Sequence, residues 1–373
     1  MPLATRAAEA AEKASRLRGL LDAHQGDAVV LTRIPNFAWL SCGGRSFINT
    51  AAEEGAAWAV VTRERVLVIT SNIEALRIRE EELDGLDWEV LACDWWDGAA
   101  MAARLRQAAG AGARLLCDAG VTGATGIGPE IVALRVQLTA GEQARAAAAG
   151  RDAADALEAC GCAVRRGESE FAIAGRLAAE CFARGIEPLV HLVAADERIY
   201  TRRHPLPTTR VVDRYAMVVL SGMRGGLVLS CTRLVHFGPV GADLDRRWRA
   251  AARVDAEMIA ATRPGVTAGQ VLATARQAYA AAGFEEEWKN HHQGGLAGYG
   301  SREWRAMPDG PQVIRAGQIF AWNPSVAGAK SEDTVLCRVE GLPQILTQTP
   351  DWPGTEMQTS GGATLRRSAI LIL

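Results

Sequence analysis

The chain has 373 residues, 49% hydrophobic and 23% charged, with a formal charge of -2. That length exceeds one ordinary core and suits two domains. The near-neutral balance carries no basic footprint for nucleic acid, and no apolar run reaches the ~20 residues that cross a bilayer.

Residues 1–133 alternate between helical and strand-like patterns. A charged amphipathic helix covers Ala4–Leu21 and lacks the apolar core of a signal peptide. Short apolar runs follow at Asp27–Thr32, Ala56–Thr62 and Arg65–Thr70. A charged helix over Asn72–Leu83 separates them from Trp88–Ala92. Helix Ala99–Ala109 and strand Arg114–Ala119 complete an α/β domain with a largely buried sheet.

From residue 138 to the C-terminus at 373 the texture changes. An Ala-rich stretch, EQARAAAAGRDAADALEAC, reads as a long helix, and Glu168–Gly185 as a second, ended by glycine. Strand-like segments EPLVHLVAA, YAMVVLSG and GLVLSCTRLV come next. Two more helices precede the strand and loop segments QIFAWNPS, SEDTVLCRVE, GLPQILTQT and AILIL. Helices, strands, helices, strands is the order of an α+β domain with antiparallel sheet between helical layers. The eight cysteines (Cys42, Cys93, Cys117, Cys160, Cys162, Cys181, Cys231 and Cys337) form no CxxC and no zinc-ribbon spacing. A reducing, cytoplasmic location is expected from this usage.

Five segments of the second half then fall in a telling order. They are HPLPTTR (His204–Arg210), SGMRGGLVLSCTR (Ser221–Arg233), HHQGG (His291–Gly295), FAWNP (Phe320–Pro324) and SEDTVL (Ser331–Leu336). In this order they resemble the substrate-side histidine segment and the DxG…SDxTR, HGIG, TIEPG and IEDTV segments of the creatinase, aminopeptidase P and prolidase superfamily. The resemblance implies a C-terminal pita-bread domain over 138–373, preceded by a creatinase-type α/β domain over 1–133. The family's dinuclear metal site uses two aspartates, a histidine and two glutamates. Matched position by position, these become Ser221, Cys231, His292, Asn323 and Glu332.

Only His292 and Glu332 keep the family's residue type. Two hard cations held close together need bridging carboxylates, and three are replaced. No metal or other cofactor is therefore expected. Tyr299 stands near the position of a second histidine in many peptidase relatives. Creatinase supplies a precedent: it resembles these peptidases yet hydrolyses a guanidino C–N bond without metal, using a histidine that matches His204.

His204 can shuttle a proton near neutral pH, with prolines holding its backbone extended. Its alternative is a solvent-exposed loop histidine. His292 and Glu332 can pair so that the carboxylate orients the imidazole, or persist as a relic polar pair. Cys231 can line the cavity, act as a nucleophile or acid, or bind one zinc with His292 and Glu332. Asn323, Tyr299, Ser221 and Trp322 are candidates to line the substrate pocket. Arg302 can clamp a carboxylate or form a surface salt bridge. Arg45, in a Gly-Gly loop that in creatinase-like dimers reaches the partner's active site, is a second clamp candidate. The expected protein is a homodimeric, metal-independent C–N hydrolase or lyase acting on a small polar compound. A mononuclear zinc peptidase and a non-catalytic binding protein are the alternatives.

Overall fold

The computed structural model describes residues 5–373, and the chain divides into two compact units, Met1–Glu142 and Gln143–Leu373. In the first, helix Arg6–His24 starts where the Thr5 hydroxyl accepts from the amide of Ala8. The unit's sheet has six strands, and Ala28–Arg33 lies within it. It pairs antiparallel with Glu54–Thr62 and parallel with Leu115–Cys117. That placement explains an uninterrupted apolar run: both faces of the strand are covered.

The helix expected over Asn72–Leu83 is much shorter. It consists of one turn, Ala75–Arg77, which widens into a π-helical turn at Ile78–Glu82. The widening goes with a buried acid. Glu82 is 3% exposed and accepts from Arg77 and Arg45, at 3.1 Å each. The segment before the Gly-Gly loop is helical, Ile34–Leu40, with Pro35 in its first turn.

The second unit runs a helix pair and then antiparallel strands, twice. The first helix, Ala140–Cys162, begins at the boundary between the units, and Glu170–Ala183 follows with Ser169 as its N-cap. Strands Glu187–Ala195, Tyr215–Arg224 and Leu227–His236 form an antiparallel sheet, and Leu371–Ile372 pairs parallel along its edge. The second pair is Ala242–Ala261 and Ala268–Ala281, the latter opened by a Thr267–Gln270 capping box. A five-stranded sheet then contains Gly294–Ala297, Ile319–Trp322 and Asp333–Leu336 as neighbours.

Two glycine pairs set the geometry that the site needs. Gly225 and Gly226 both have positive φ, 57° and 79°, as a two-residue turn requires between twisted strands. They join Tyr215–Arg224 to Leu227–His236 in a register that sets Ser221 opposite Ser230. Gly294 and Gly295 lie where backbones touch. A Cβ on either would sit 2.1 Å from a carbonyl oxygen, of Ala321 or Trp304 respectively. The strand that follows the paired histidines can therefore lie flush against its neighbours only without side chains.

The two sheets are stitched together behind the site. The amide of Ser230 donates to Thr334 Oγ1 at 2.7 Å, and the amide of Thr232 to the Glu332 carbonyl at 3.1 Å. Beneath them, fully buried Asp333 accepts from Arg233 at 3.2 Å and from Arg367 at 2.6 Å. The charges of this core network are paired, which is the condition under which such groups are tolerated.

Candidate active site

Three imidazoles meet in the second unit. One ring nitrogen from each of His204, His291 and His292 lies within 4.8 Å of the others. His204 comes from the Pro-rich loop and is exposed, while His291 and His292 precede the glycine strand and lie deeper. His204 Nε2 and His291 Nε2 are 3.2 Å apart. On its other side, His291 Nδ1 is 3.2 Å from Ser325 Oγ, which also accepts from Arg203 at 3.3 Å. The His204 and His292 rings stack with centroids 5.6 Å apart.

Their surroundings keep these rings neutral. His204 is exposed as a residue, but partial desolvation of its ring, then the charge of Lys330, lowers its pKa below the ordinary 6.5. Burial and Arg302 bring His292 down to about 4. Burial and Lys330 push His291 further below the usual range. Near neutral pH all three present lone pairs, and His204 can accept a proton.

Glu332 is committed elsewhere. Its Oε2 accepts from Lys330 Nζ at 2.6 Å and Thr232 Oγ1 at 2.7 Å; its Oε1 accepts from Arg302 at 3.3 Å. Burial works to raise this carboxyl, but Lys330 and Arg302 hold it below the carboxylate range. Arg302 also reaches Ser230 Oγ at 3.4 Å, and the Ser230 and Ser221 hydroxyls lie 2.8 Å apart. His292 Nδ1, Arg302 Nε and Asn323 Oδ1 are buried without hydrogen-bond partners. Orphaned polar atoms cost about 1–3 kcal/mol each, which a polar ligand would relieve.

Residues 144–339, more than half of the sequence, match the metallopeptidase family M24. The chain belongs to that family. It is thereby grouped with hydrolases. No curated protein matches the sequence. Among solved structures, it is similar to the prolidase of Pyrococcus horikoshii OT3, with 19% identity, 91% of this chain and 98% of that one covered, and a TM-score of 0.76. Dipeptidase PepE of Mycobacterium ulcerans gives 20% identity, 98% coverage of both chains and a TM-score of 0.76. The N-terminal domain of the FACT complex subunit SPT16 from chickpea gives 11%, 91% and 96% coverage, and 0.67. At these identities the likeness establishes the shared pita-bread architecture.

M24 membership raises the question of a metal centre, and the donor set answers it. Ser221, Ser230 and Asn323 offer no carboxylate, and both oxygens of Glu332 are bound by cations and a hydroxyl. These residues do not fit a carboxylate-bridged dinuclear site.

Several sequence expectations change in detail. Cys231 does not face His292 and Glu332. Strand side chains alternate, so Ser230 and Thr232 point toward Arg302 and Glu332, while Cys231 and Arg233 point the other way. Cys231 is fully buried, and burial pushes its thiol well above the ordinary range, opposite to what a nucleophile needs. The proposed zinc set of Cys231, His292 and Glu332 is therefore not assembled. Trp322 is also turned away, fully buried, with its indole donating to Thr262 Oγ1 at 2.9 Å. Arg45 is engaged with Glu82 inside the first unit. His292 and Glu332 do not pair directly; Glu332 instead binds Lys330 and Arg302. Arg302 joins the Ser230–Glu332 cluster and is no surface salt bridge, its side chain being 11% exposed. Tyr299 is buried just beyond the glycine strand.

Lys330, Ser230, Ser325 and the full part played by His291 escaped the sequence reading. Lys330 had one available signal. It precedes Glu332 by two in an extended segment, which places both side chains on one side.

Proposed function

We propose that this protein is a metal-independent hydrolase, or lyase, that cleaves a C–N bond in a small polar amide- or guanidino-type compound. The observation that carries the reading is the state of Glu332. Its two oxygens are held by Lys330, Arg302 and Thr232, so fixed side-chain cations stand beside the one carboxylate that remains of the four in the family's dinuclear pattern.

In this reading His204 is the acid/base. Its Nε2–H donates to the bare Nε2 of His291, and its neutral Nδ1 takes a proton from water as the water oxygen bonds to the substrate carbon. The same proton then passes to the departing nitrogen as the C–N bond breaks. His291 orients His204 through the 3.2 Å contact, with Ser325 and Arg203 fixing the far side of its ring. Arg302 and Lys330 supply positive charge for the oxyanion that develops, without reorganisation. Asn323 Oδ1 is free to accept an N–H of the substrate.

The test is a screen of chelator-treated, metal-analysed protein against small amides, guanidino compounds and X-Pro dipeptides. Turnover that survives metal removal and is lost in His204→Ala supports the reading. Turnover that requires stoichiometric manganese, cobalt or zinc refutes it. Binding without turnover, unaffected by His204→Ala and His292→Ala, would favour a non-catalytic binding role.

A further inference from the structure

We propose that His204, His291 and His292 together form a tridentate site for one borderline divalent metal ion, zinc or copper(II), and that occupancy withdraws His204 from proton transfer. This rests on the assignment of His204 as acid/base. It describes a second, inhibited state of the same cluster, built from different ligands and selecting different metals from a carboxylate-bridged centre.

The geometry comes first. A tetrahedral zinc with Zn–N bonds of about 2.0–2.1 Å sets its ligand nitrogens roughly 3.3 Å apart. The Nε2 atoms of His204 and His291 are already 3.2 Å apart. The third imidazole contributes a nitrogen within the same 4.8 Å cluster. Facing nitrogens at this distance either share a proton or point their lone pairs at a common cation, so the site can interchange between the two.

The outer contacts suit a ligand. Metal-bound imidazoles usually donate their other N–H to a fixed acceptor, which sets the tautomer. Ser325 Oγ lies 3.2 Å from His291 Nδ1 and can accept from it, leaving Nε2 bare. His292 retains a buried Nδ1 with no partner, a polar atom that the protein alone leaves unsatisfied. His204 is exposed, which provides an entry path and leaves a fourth coordination position toward solvent.

Ligand chemistry then sets selectivity. Three neutral nitrogens and no available carboxylate favour zinc, copper(II), nickel and cobalt over manganese and magnesium. Lys330, Arg302 and Arg305 all disfavour protons on these rings and oppose a dication in the same way. The site is accordingly reversible, suited to sensing metal excess and not to retaining a permanent ion.

The experiment titrates chelator-treated full-length protein with zinc, cobalt(II) and manganese by calorimetry, and follows cobalt by its visible absorption. The same samples are treated with diethyl pyrocarbonate, which modifies neutral imidazole, and His204 modification is read by mass spectrometry. One equivalent of zinc or cobalt should bind and manganese should not. Affinity should fall at least 100-fold in His291→Ala, and zinc should protect His204. His204→Ala provides a second variant: its altered residue is exposed, so loss of metal binding there does not reflect unfolding. Absence of zinc binding, or binding unchanged by both substitutions, overturns the site. Binding of two manganese ions, lost in Glu332→Gln, would instead overturn the metal-independent reading beneath it. Zinc-dependent turnover abolished by His291→Ala would keep the site and overturn its inhibitory role.

Discussion

Lys330 Nζ lies 2.6 Å from Glu332 Oε2, with both side chains under 5% exposed. A cation is thus built into the chain beside the one acid left from the family's metal-site pattern. Removing one partner of a buried pair strands the other charge at a cost of about 3–5 kcal/mol. Arg302 and Thr232 remain on Glu332, so Lys330→Met should fall at the lower end, about 3 kcal/mol, in urea denaturation. A loss below about 1 kcal/mol would show that Glu332 does not depend on Lys330.

His204→Ala separates an active site from a retired one. His204 is exposed and its loop is fixed by neighbouring contacts, including Arg198 to the Leu206 carbonyl at 3.0 Å. The substitution should therefore leave thermal unfolding within about 0.5 kcal/mol, as for most surface changes. Loss of an acid/base group should cut kcat by roughly 10²–10⁴-fold on any substrate that the screen identifies. An unchanged kcat would remove His204 from the chemistry.

The pH dependence has a definite sign. His204 titrates below 6.5 in the folded metal-free protein, so its base form persists into mild acid. kcat/KM should keep more than half of its neutral-pH plateau at pH 6.5 and reach its half-value only below that. His292, lowered to about 4, works on stability in the same direction. The unfolded chain binds a proton near 6.5 and the folded chain only near 4. Stability from this group is fully present above 6.5 and is lost as pH falls through about 4. Imidazole titration by NMR checks both statements; a His204 midpoint above 6.5 would contradict the first.

The sequence disclosed the fold through five spaced segments, three of which carry a structural demand: a two-glycine turn, a glycine strand with no room for Cβ atoms, an Asp333 that binds two buried arginines. The resemblance of those segments pointed to His204, His292 and Glu332; the structure brings the two histidines together and ties Glu332 to Lys330 and Arg302. Cys231 was misplaced by a single residue, and in a strand one residue exchanges the two faces. The structural counterpart is Ser230, which pairs with Ser221 across the hairpin. Lys330 stayed hidden because a lysine two residues before an acid is ordinary in sequence. Only tertiary burial makes it a fixed counter-charge. Glu82 shows the same limit in the first unit: its inward turn, unreadable from a run of glutamates, falls in the π-helical turn that stands where a regular helix was expected.

Asp333 tests whether the site is held from below. It is fully buried and accepts from both Arg233 and Arg367, directly after Glu332 in sequence. Asp333→Ala leaves two buried guanidinium groups short of an acceptor and should cost about 3–5 kcal/mol in chemical denaturation. Arg233 also pairs with Glu158 at 2.9 Å and Arg367 with buried Asp255, so a change under 1 kcal/mol would mean that these two acids carry the network alone.

Cys231→Ala decides between a nucleophile and a core residue. On the hairpin, Cys231 shares its face with Arg233, whose guanidinium binds Glu158 at 2.9 Å, while the site residues Ser230 and Thr232 occupy the other face. Burial raises its thiol well above the ordinary range, so thiolate is scarce at neutral pH. Truncation should cost roughly 1 kcal/mol of stability through lost packing, with kcat changed less than about threefold. If Cys231 were the nucleophile, the same substitution would abolish turnover and leave stability nearly unchanged. Measured on one variant, those opposite patterns separate packing from chemistry.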